Sequence, residues 1–287
     1  METKNVNVES QEYMETMARL MSEALESPDG MRALAAAISE PIEQEIARKE
    51  ISSLLLTRHT LPKGERPLYQ KKPKVKAYWI STEGEAREQD LGKDEVEFPT
   101  HRIHSTPMVD VSVLKHGNIG TLMDIQTSAS DEPRKEIDKR TLTVMSAAVP
   151  AENTIEVAGS VLTEDALNEA ISIIEDMELS VKYIVMRGRR FNDLRSWNLD
   201  PQTKAELRAK GVIKNYGTGG ILLTASCPLN EILIVPDEEV GKMPVREPLK
   251  TESIEYKTRF KTGWLVWSEL GQGVTRPDIL AKIKILG

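Results

Sequence analysis

The stretch Val181-Lys182-Tyr183-Ile184-Val185-Met186, followed at once by Arg187-Gly188-Arg189-Arg190, decides how the chain is read. Its first six residues are mostly apolar and β-branched or aromatic, which suits a short strand. The basic, glycine-containing turn then leads into a short helix that ends near Trp197. Upstream, residues 155–162 alternate weakly, with Ile155 and Val157 on one face and Glu156 on the other, and read as another strand. Thr163 caps the helix between these strands. Glu164 and Asp165 occupy its first turn, and Leu167, Ala170, Ile171, Ile174 and Met177 form its apolar side.

Further upstream, a longer helix is expected from near Ser130. Asp131 and Glu132 stand at the positive end of its dipole. Ile137, Thr141, Val144, Met145 and Ala148 make its stripe, and Pro150 closes it. Residues 106–127, before it, read as mixed strand and loop. Downstream, Asp200-Pro201 has the form of an N-cap with proline at the first helical position. Gly217-Thr218-Gly219-Gly220 leads into β-type segments at 221–225 and 231–235, and the tail adds three more at 253–259, 263–267 and 282–286. Helices come in groups rather than alternating with strands. That order argues for α+β rather than a doubly wound sheet.

The first 55 residues have a different character. Residues 11–27 carry Tyr13, Met14, Met17, Leu20, Met21, Ala24 and Leu25, an apolar stripe at helical spacing. Ser27-Pro28-Asp29-Gly30 breaks the pattern, and Met31, Leu34, Ala35, Ile38, Ile42 and Ile46 resume it, with Pro41 as a kink or boundary. This is a helical arm that either packs on its own domain or reaches a neighbour. Residues 57–105 then hold β-type segments at 75–81 and 95–103. In the first, Val75, Ala77 and Trp79 alternate with Lys76, Tyr78 and Ile80, so both faces carry bulk. The charged stretch 82–90 between the segments reads as the solvated tip of a long hairpin. A lone hairpin is marginal in water, so a neighbouring subunit is a natural cover for it.

Composition narrows the function. The 287 residues are 39% apolar and 29% charged, as in an ordinary globular protein, with only 5% aromatic. A single cysteine, Cys227, excludes an intramolecular disulfide framework and a multi-cysteine zinc site. The net charge is 38 − 45 = −7, unlike the basic balance of most nucleic-acid binders. No run of about 18 apolar residues is present, so no helical membrane span is expected. The polar N-terminus lacks the apolar core of a secretion signal.

The search for chemistry finds no catalytic, cofactor-binding or metal-ligating set. His101 and His104 lie three apart, but in a strand that spacing points them to opposite faces. Cys227 sits beside an apolar run and reads as a small core filler. No Gly-x-Ser-x-Gly elbow occurs. Gly217-Thr218-Gly219-Gly220 is followed by a β-run and has no lysine, so it reads as a turn rather than a phosphate loop. Arg187, Arg189 and Arg190 are the densest basic cluster, either a contact surface or a helix start paired with local acids such as Asp193.

The order of these parts resembles the major capsid protein of tailed bacteriophages, the Hong Kong 97-like fold family. Three strings carry the likeness with that order: Val181 to Met186, Ser226-Cys227-Pro228-Leu229-Asn230-Glu231-Ile232-Leu233-Ile234-Val235-Pro236, and Gly273-Val274-Thr275-Arg276-Pro277-Asp278-Ile279-Leu280-Ala281-Lys282-Ile283-Lys284. The resemblance covers most of the chain after about residue 55. It implies an N-terminal arm at 1–56 and an extended hairpin loop at 57–105. It also implies a peripheral domain at 106–180 and 266–287, with a spine helix at 130–149, and an axial domain at 181–265.

The function implied is structural and non-enzymatic, with no cofactor. Copies would self-assemble into the pentamers and hexamers of an icosahedral head, enclosing double-stranded DNA without sequence-specific binding. Portal, scaffold and decoration proteins would be further partners, with no membrane contact. Assembly would occur in the host cytoplasm, and the mature location would be the virion. Tyr13, Met17, Leu20, Met21, Lys76, Tyr78, Trp79, Arg187, Arg189 and Arg190 are the expected inter-subunit contacts.

The family's type member crosslinks a loop lysine to a peripheral-domain asparagine with help from a glutamate. Here the loop offers Lys71, Lys72, Lys74 and Lys76, but no asparagine follows Asn230. No such crosslink is expected, nor a separate cleaved scaffolding domain. An encapsulin-type compartment shares the fold and is the principal alternative. A small-molecule enzyme with a mixed α/β body and a virion decoration or tail component are the others.

Overall fold

The computed structural model describes residues 16, 19, 50–71, 94–110, 119–197, 220–256 and 261–287. Several expectations fall outside them: the arm helices at 11–27 and 31–46, the strand at 75–81 with its charged tip, the helix opening at Asp200-Pro201 and the glycines at 217–219. The described chain folds as two compact units. One holds the described residues up to Ile51, His101–Asp138 and Val245–Leu270; the other holds Ser52–Thr100, Lys139–Pro244 and Gly271–Gly287.

The second unit is built on five strands. They are β6 (Thr154–Val157), β7 (Val181–Met186), β8 (Ile221–Leu223), β9 (Glu231–Pro236) and β13 (Ala281–Ile285), in the order β6-β13-β9-β7-β8. β13 runs parallel to β6 and β7 parallel to β8, while β9 is antiparallel to both its neighbours. Ile232, Leu233, Ile234 and Val235 of β9 are all buried, so the central strand is covered on both faces. That explains its unbroken apolar run.

Helix α3 (Glu164–Glu175) buries Leu167, Ala170, Ile171 and Ile174 in the same core. Thr163 caps it as expected, its hydroxyl accepting from the Ala166 amide at 3.4 Å. Each large aliphatic side chain removed from water here contributes about 1.5–3 kcal/mol. The expected border between a peripheral domain ending at 180 and an axial domain starting at 181 crosses this sheet. β6 and β13 come from one side of it, and β7, β8 and β9 from the other.

The long helix α2 runs Ile119–Ala148, thirty residues or about 45 Å. It starts eleven residues before the expected position at Ser130. Gly120 and the β-branched Ile119, Thr121, Ile125 and Thr127 are weak helix formers, and Pro133 reads as a first-turn residue. Pro133 instead lies inside the helix, where its ring removes one backbone donor. At the helix's last turn, Lys282 Nζ donates to the Ser146 carbonyl at 2.9 Å, and Ser146 Oγ donates to Glu231 at 2.6 Å. An ammonium at a helix C-terminus meets the negative end of the dipole. In the first unit, the buried Asp138 carboxylate accepts the Ile51 amide at 3.0 Å and lies 3.8 Å from Arg134.

The rest of the first unit is an antiparallel sheet. β10 (Gly241–Tyr256) pairs with β11 (Lys261–Leu270), which in turn pairs with β4 (His101–Ser105) and β5 (Met108–Asp110). The sequence pointed only to 253–259 and 263–267 here. Pro244 and Pro248 hide the true length of β10, and register shifts on either side of Glu247 accommodate the irregular stretch.

The expected single strand at 95–103 is split by Pro99 into β3 (Glu95–Glu97) and β4. β3 pairs with β2 (Leu68–Gln70), a strand the sequence did not suggest, so 68–70 and 95–97 form a hairpin stem. The stem is held by aromatic packing. Tyr69 stacks on Phe98 at 5.2 Å and meets the edge of His59, whose Nδ1 is 2.8 Å from the Tyr69 hydroxyl. Phe98 lies flat on the backbone of Gly273, where β12 (Gly273–Val274) pairs with the first residues of β10.

A single buried arginine joins two loops to its own helix. α4 (Gly188–Ser196) carries Arg190, which is 3% exposed. Its Nε donates to the Leu229 carbonyl at 2.9 Å and one Nη to Asn230 Oδ1 at 2.9 Å. The other Nη donates to the Ser160 carbonyl and lies 3.4 Å from Asp193. Asp193 also accepts the Leu162 amide at 3.2 Å.

Two stability predictions follow from this packing. In Gly273→Ala the new Cβ would stand 2.1 Å from the Phe98 ring. The substitution should cost about 1–3 kcal/mol, read as a lower urea midpoint. Arg190→Met strands the Leu229 and Ser160 carbonyls with Asp193 and should cost about 3–5 kcal/mol in the same titration. A wild-type midpoint in either variant would contradict the contact described.

Candidate functional site

Of the ten residues singled out from sequence, Tyr13, Met17, Leu20, Met21, Lys76, Tyr78 and Trp79 lie outside the described residues. The other three meet at the junction of β7 and α4. Arg187 is half-buried and donates to the Ala225 carbonyl at 2.5 Å. Arg189 is exposed. Arg190 spends its donors on the loops around it. The junction is therefore two-sided: Arg190 and Arg187 hold the 224–230 loop in place, and Arg189 faces solvent beside it.

Cys227 lies in that loop and is 2% exposed. Its sulfur is 3.4 Å from the Glu231 carbonyl and 3.9 Å from that of Val185. Burial first, and the Glu231 charge second, push the thiol up to about 12; Arg187 opposes them. The thiol is thus protonated at neutral pH and acts as a packed core group, not a nucleophile.

His101 and His104 occupy β4, opposite Leu270 and Trp267 of β11, and the strand turns them to opposite faces. Among the described residues, no three His, Cys, Asp or Glu side chains are grouped to hold a metal ion. No described helix is long and apolar enough to cross a membrane.

The second unit carries open clefts of about 410–440 Å³. Two of them share the acidic turn after β9, and each acid there has a basic partner. Asp237 lies 3.4 Å from Lys182, Glu239 lies 3.8 Å from Lys242, and Glu238 contacts Arg276. The two clefts beside this turn are ion-paired surface.

Sequence reading missed the outward face of the β4–β11–β10 sheet, where Arg102, Trp267 and Lys250 gather. The signal was present but ambiguous. Trp264 and Trp267 have opposite parity in β11, so residue type alone does not say which is inside.

No protein-family profile matches this sequence, and no curated protein matches it. Solved structures match it through their folds. The mature capsid of bacteriophage PhiM1 aligns with a TM-score of 0.61 at 10% identity, over 83% of this chain and 88% of that one. The capsid of cyanophage P-SCSP1u gives 0.59 at 13% identity, over 81% and 87%. A virus-like particle from Pyrococcus furiosus gives 0.57 at 13% identity, over 86% and 97%. The mixed α+β architecture and these alignments, which take in most of both chains, agree: the chain has the Hong Kong 97-like fold of tailed-phage capsid proteins.

Proposed function

We infer that this chain is a major capsid protein, a structural shell subunit that self-assembles into the pentamers and hexamers of an icosahedral phage head around double-stranded DNA. The observation that carries this reading is reciprocal coverage. The PhiM1 capsid likeness takes in 83% of this chain and 88% of that one, so most of the protomer is matched by shell architecture. A shell requires surfaces that repeat around closed rings, and swapped arms and loops enlarge such surfaces.

In this reading the 1–56 arm and the 57–105 hairpin loop reach neighbouring copies through Tyr13, Met17, Leu20, Met21, Lys76, Tyr78 and Trp79. The peripheral domain (106–180 and 266–287) and the axial domain (181–265) form the body. Arg189 and Arg187 contact a neighbour at the β7–α4 junction, while Arg190 acts mainly within its own fold. An acidic chain holds packaged DNA by confinement rather than by affinity. Portal, scaffold and decoration proteins complete the head, which assembles in the host cytoplasm. The subunit is not an enzyme.

The Pyrococcus furiosus particle, of which 97% is covered, favours a second reading: a protein compartment that encloses protein cargo instead of a genome.

Negative-stain electron microscopy of the purified chain across a salt series is the deciding test. Closed shells or rings of five and six are expected, with yield rising with ionic strength as repulsion among copies at −7 each is screened. Monomers or dimers alone at every salt concentration would leave either a shell subunit that needs its scaffold or a wrong resemblance, and co-purified protein cargo would favour the compartment. Boiled particles should run as a single band in SDS, because no asparagine follows Asn230. A ladder of covalent oligomers would refute that.

A further inference from the structure

Two helix faces of the second unit carry opposite charge. The segment 163–180, which holds α3 and the turn after it, has six acids and no lysine or arginine. Asp165, Glu169, Glu175, Asp176 and Glu178 are all exposed, and among the described residues none of the five forms an ion pair. Asp165, Glu169, Ser172 and Asp176 follow at intervals of three or four and make one stripe along the helix. The far end of that stripe gains nothing from its own helix. Glu175 and Asp176 stand at the negative end of the dipole, where a cation is preferred. Glu178, in the turn beyond, has a φ of 61°, a conformation that favours glycine.

α4 is the reverse. The segment 187–197 has four arginines and one acid, Asp193, which is turned to Arg190 and the Leu162 amide. Arg189, Asn192 and Arg195 are exposed and, spaced by three, share one side of the helix. Arg195 lies 4.7 Å from the Phe191 ring and donates to Asn192 at 3.3 Å. Arg189 has no hydrogen-bond or ionic partner among the described residues. Arg189 and Arg195 are six positions apart, as are Glu169 and Glu175, which is about 9 Å along the axis in each helix.

We propose that the arginine face of α4 docks on the acidic face of α3 of a second copy of this chain, with Arg189 and Arg195 against Glu169 and Glu175. Charge complementarity selects the occupant. Each face carries one sign rather than a balanced mixture, and the same chain presents the complement at matching spacing, so every copy offers both halves. A strand of phosphates would suit α4 but would leave the acids of α3 uncovered. A contact of one face with a different face is head-to-tail, and such contacts close into rings. The proposal rests on the reading of the chain as a shell subunit and adds what the arginines of α4 meet.

The test uses two charge-reversed full chains, Arg189→Glu/Arg195→Glu and Glu169→Arg/Glu175→Arg. All four side chains are exposed, and both variants should keep the wild-type circular dichroism spectrum. Alone, each variant sets like charge against like and should form pairs about tenfold less than the wild-type chain. Mixed in equal amounts, the acidic α4 of one meets the basic α3 of the other. Native mass spectrometry, with one variant isotope-labelled, should then show mixed pairs about tenfold above their statistical share. In electron micrographs the mixture should restore rings of six but not of five, because alternation needs an even number.

Mixed pairs at their statistical share overturn the proposal, as does wild-type association of either variant alone. Mixed pairs that disappear on nuclease treatment overturn it in favour of nucleic acid. A wild-type chain without rings bears on the shell reading alone, since mixed pairs are counted without rings. If the α4 variant misfolds, Arg189→Glu by itself takes its place, because a carboxylate in the first turn of a helix suits the dipole.

Discussion

The central strand β9 is the constraint on which the second unit depends. Its residues Ile232, Leu233, Ile234 and Val235 are buried on both faces, and it hydrogen-bonds to β13 on one side and β7 on the other. β13 closes the chain and β7 lies about a hundred residues earlier, so the strand ties distant segments into one core. A polar substitution there would leave a group unsatisfied between two apolar layers. The other parts of this unit, from α3 to the anchored end of α2, are arranged around that sheet.

Polar anchors sit where the loops leave the sheet. Arg190 provides donors for carbonyls near 160 and 229 that no strand partner reaches, and Asp193 orients it. Lys282 and Glu231, from adjacent strands, converge on Ser146 in the last turn of α2. In both places a charged group is stabilised by several hydrogen bonds at once, which makes its burial tolerable. The same division of labour holds at the β7–α4 junction. Neighbouring arginines in sequence have different roles because the helix turns one inward and leaves another in solvent.

A hairpin stem is held by the Tyr69–Phe98 stack. In the shell reading, catalysis is not required of these surfaces. In that reading, what matters is that they repeat identically in every copy.

Local pattern determined much of this chain. Val181–Met186, the cap at Thr163 and the apolar side of α3 were legible because short-range periodicity and capping chemistry specify them residue by residue. The α+β class and the likeness to capsid proteins were legible from the order of those parts. Other features depended on contacts between residues far apart in sequence. The pairing of 68–70 with 95–97 and the full length of β10 through Pro244 and Pro248 were decided by tertiary partners that outweigh weak or contrary local propensity. The inward turn of Arg190 and the outward turn of Trp267 belong to the same class. Residue type is compatible with either orientation, and only the packed fold supplies the carbonyls for one and leaves solvent for the other.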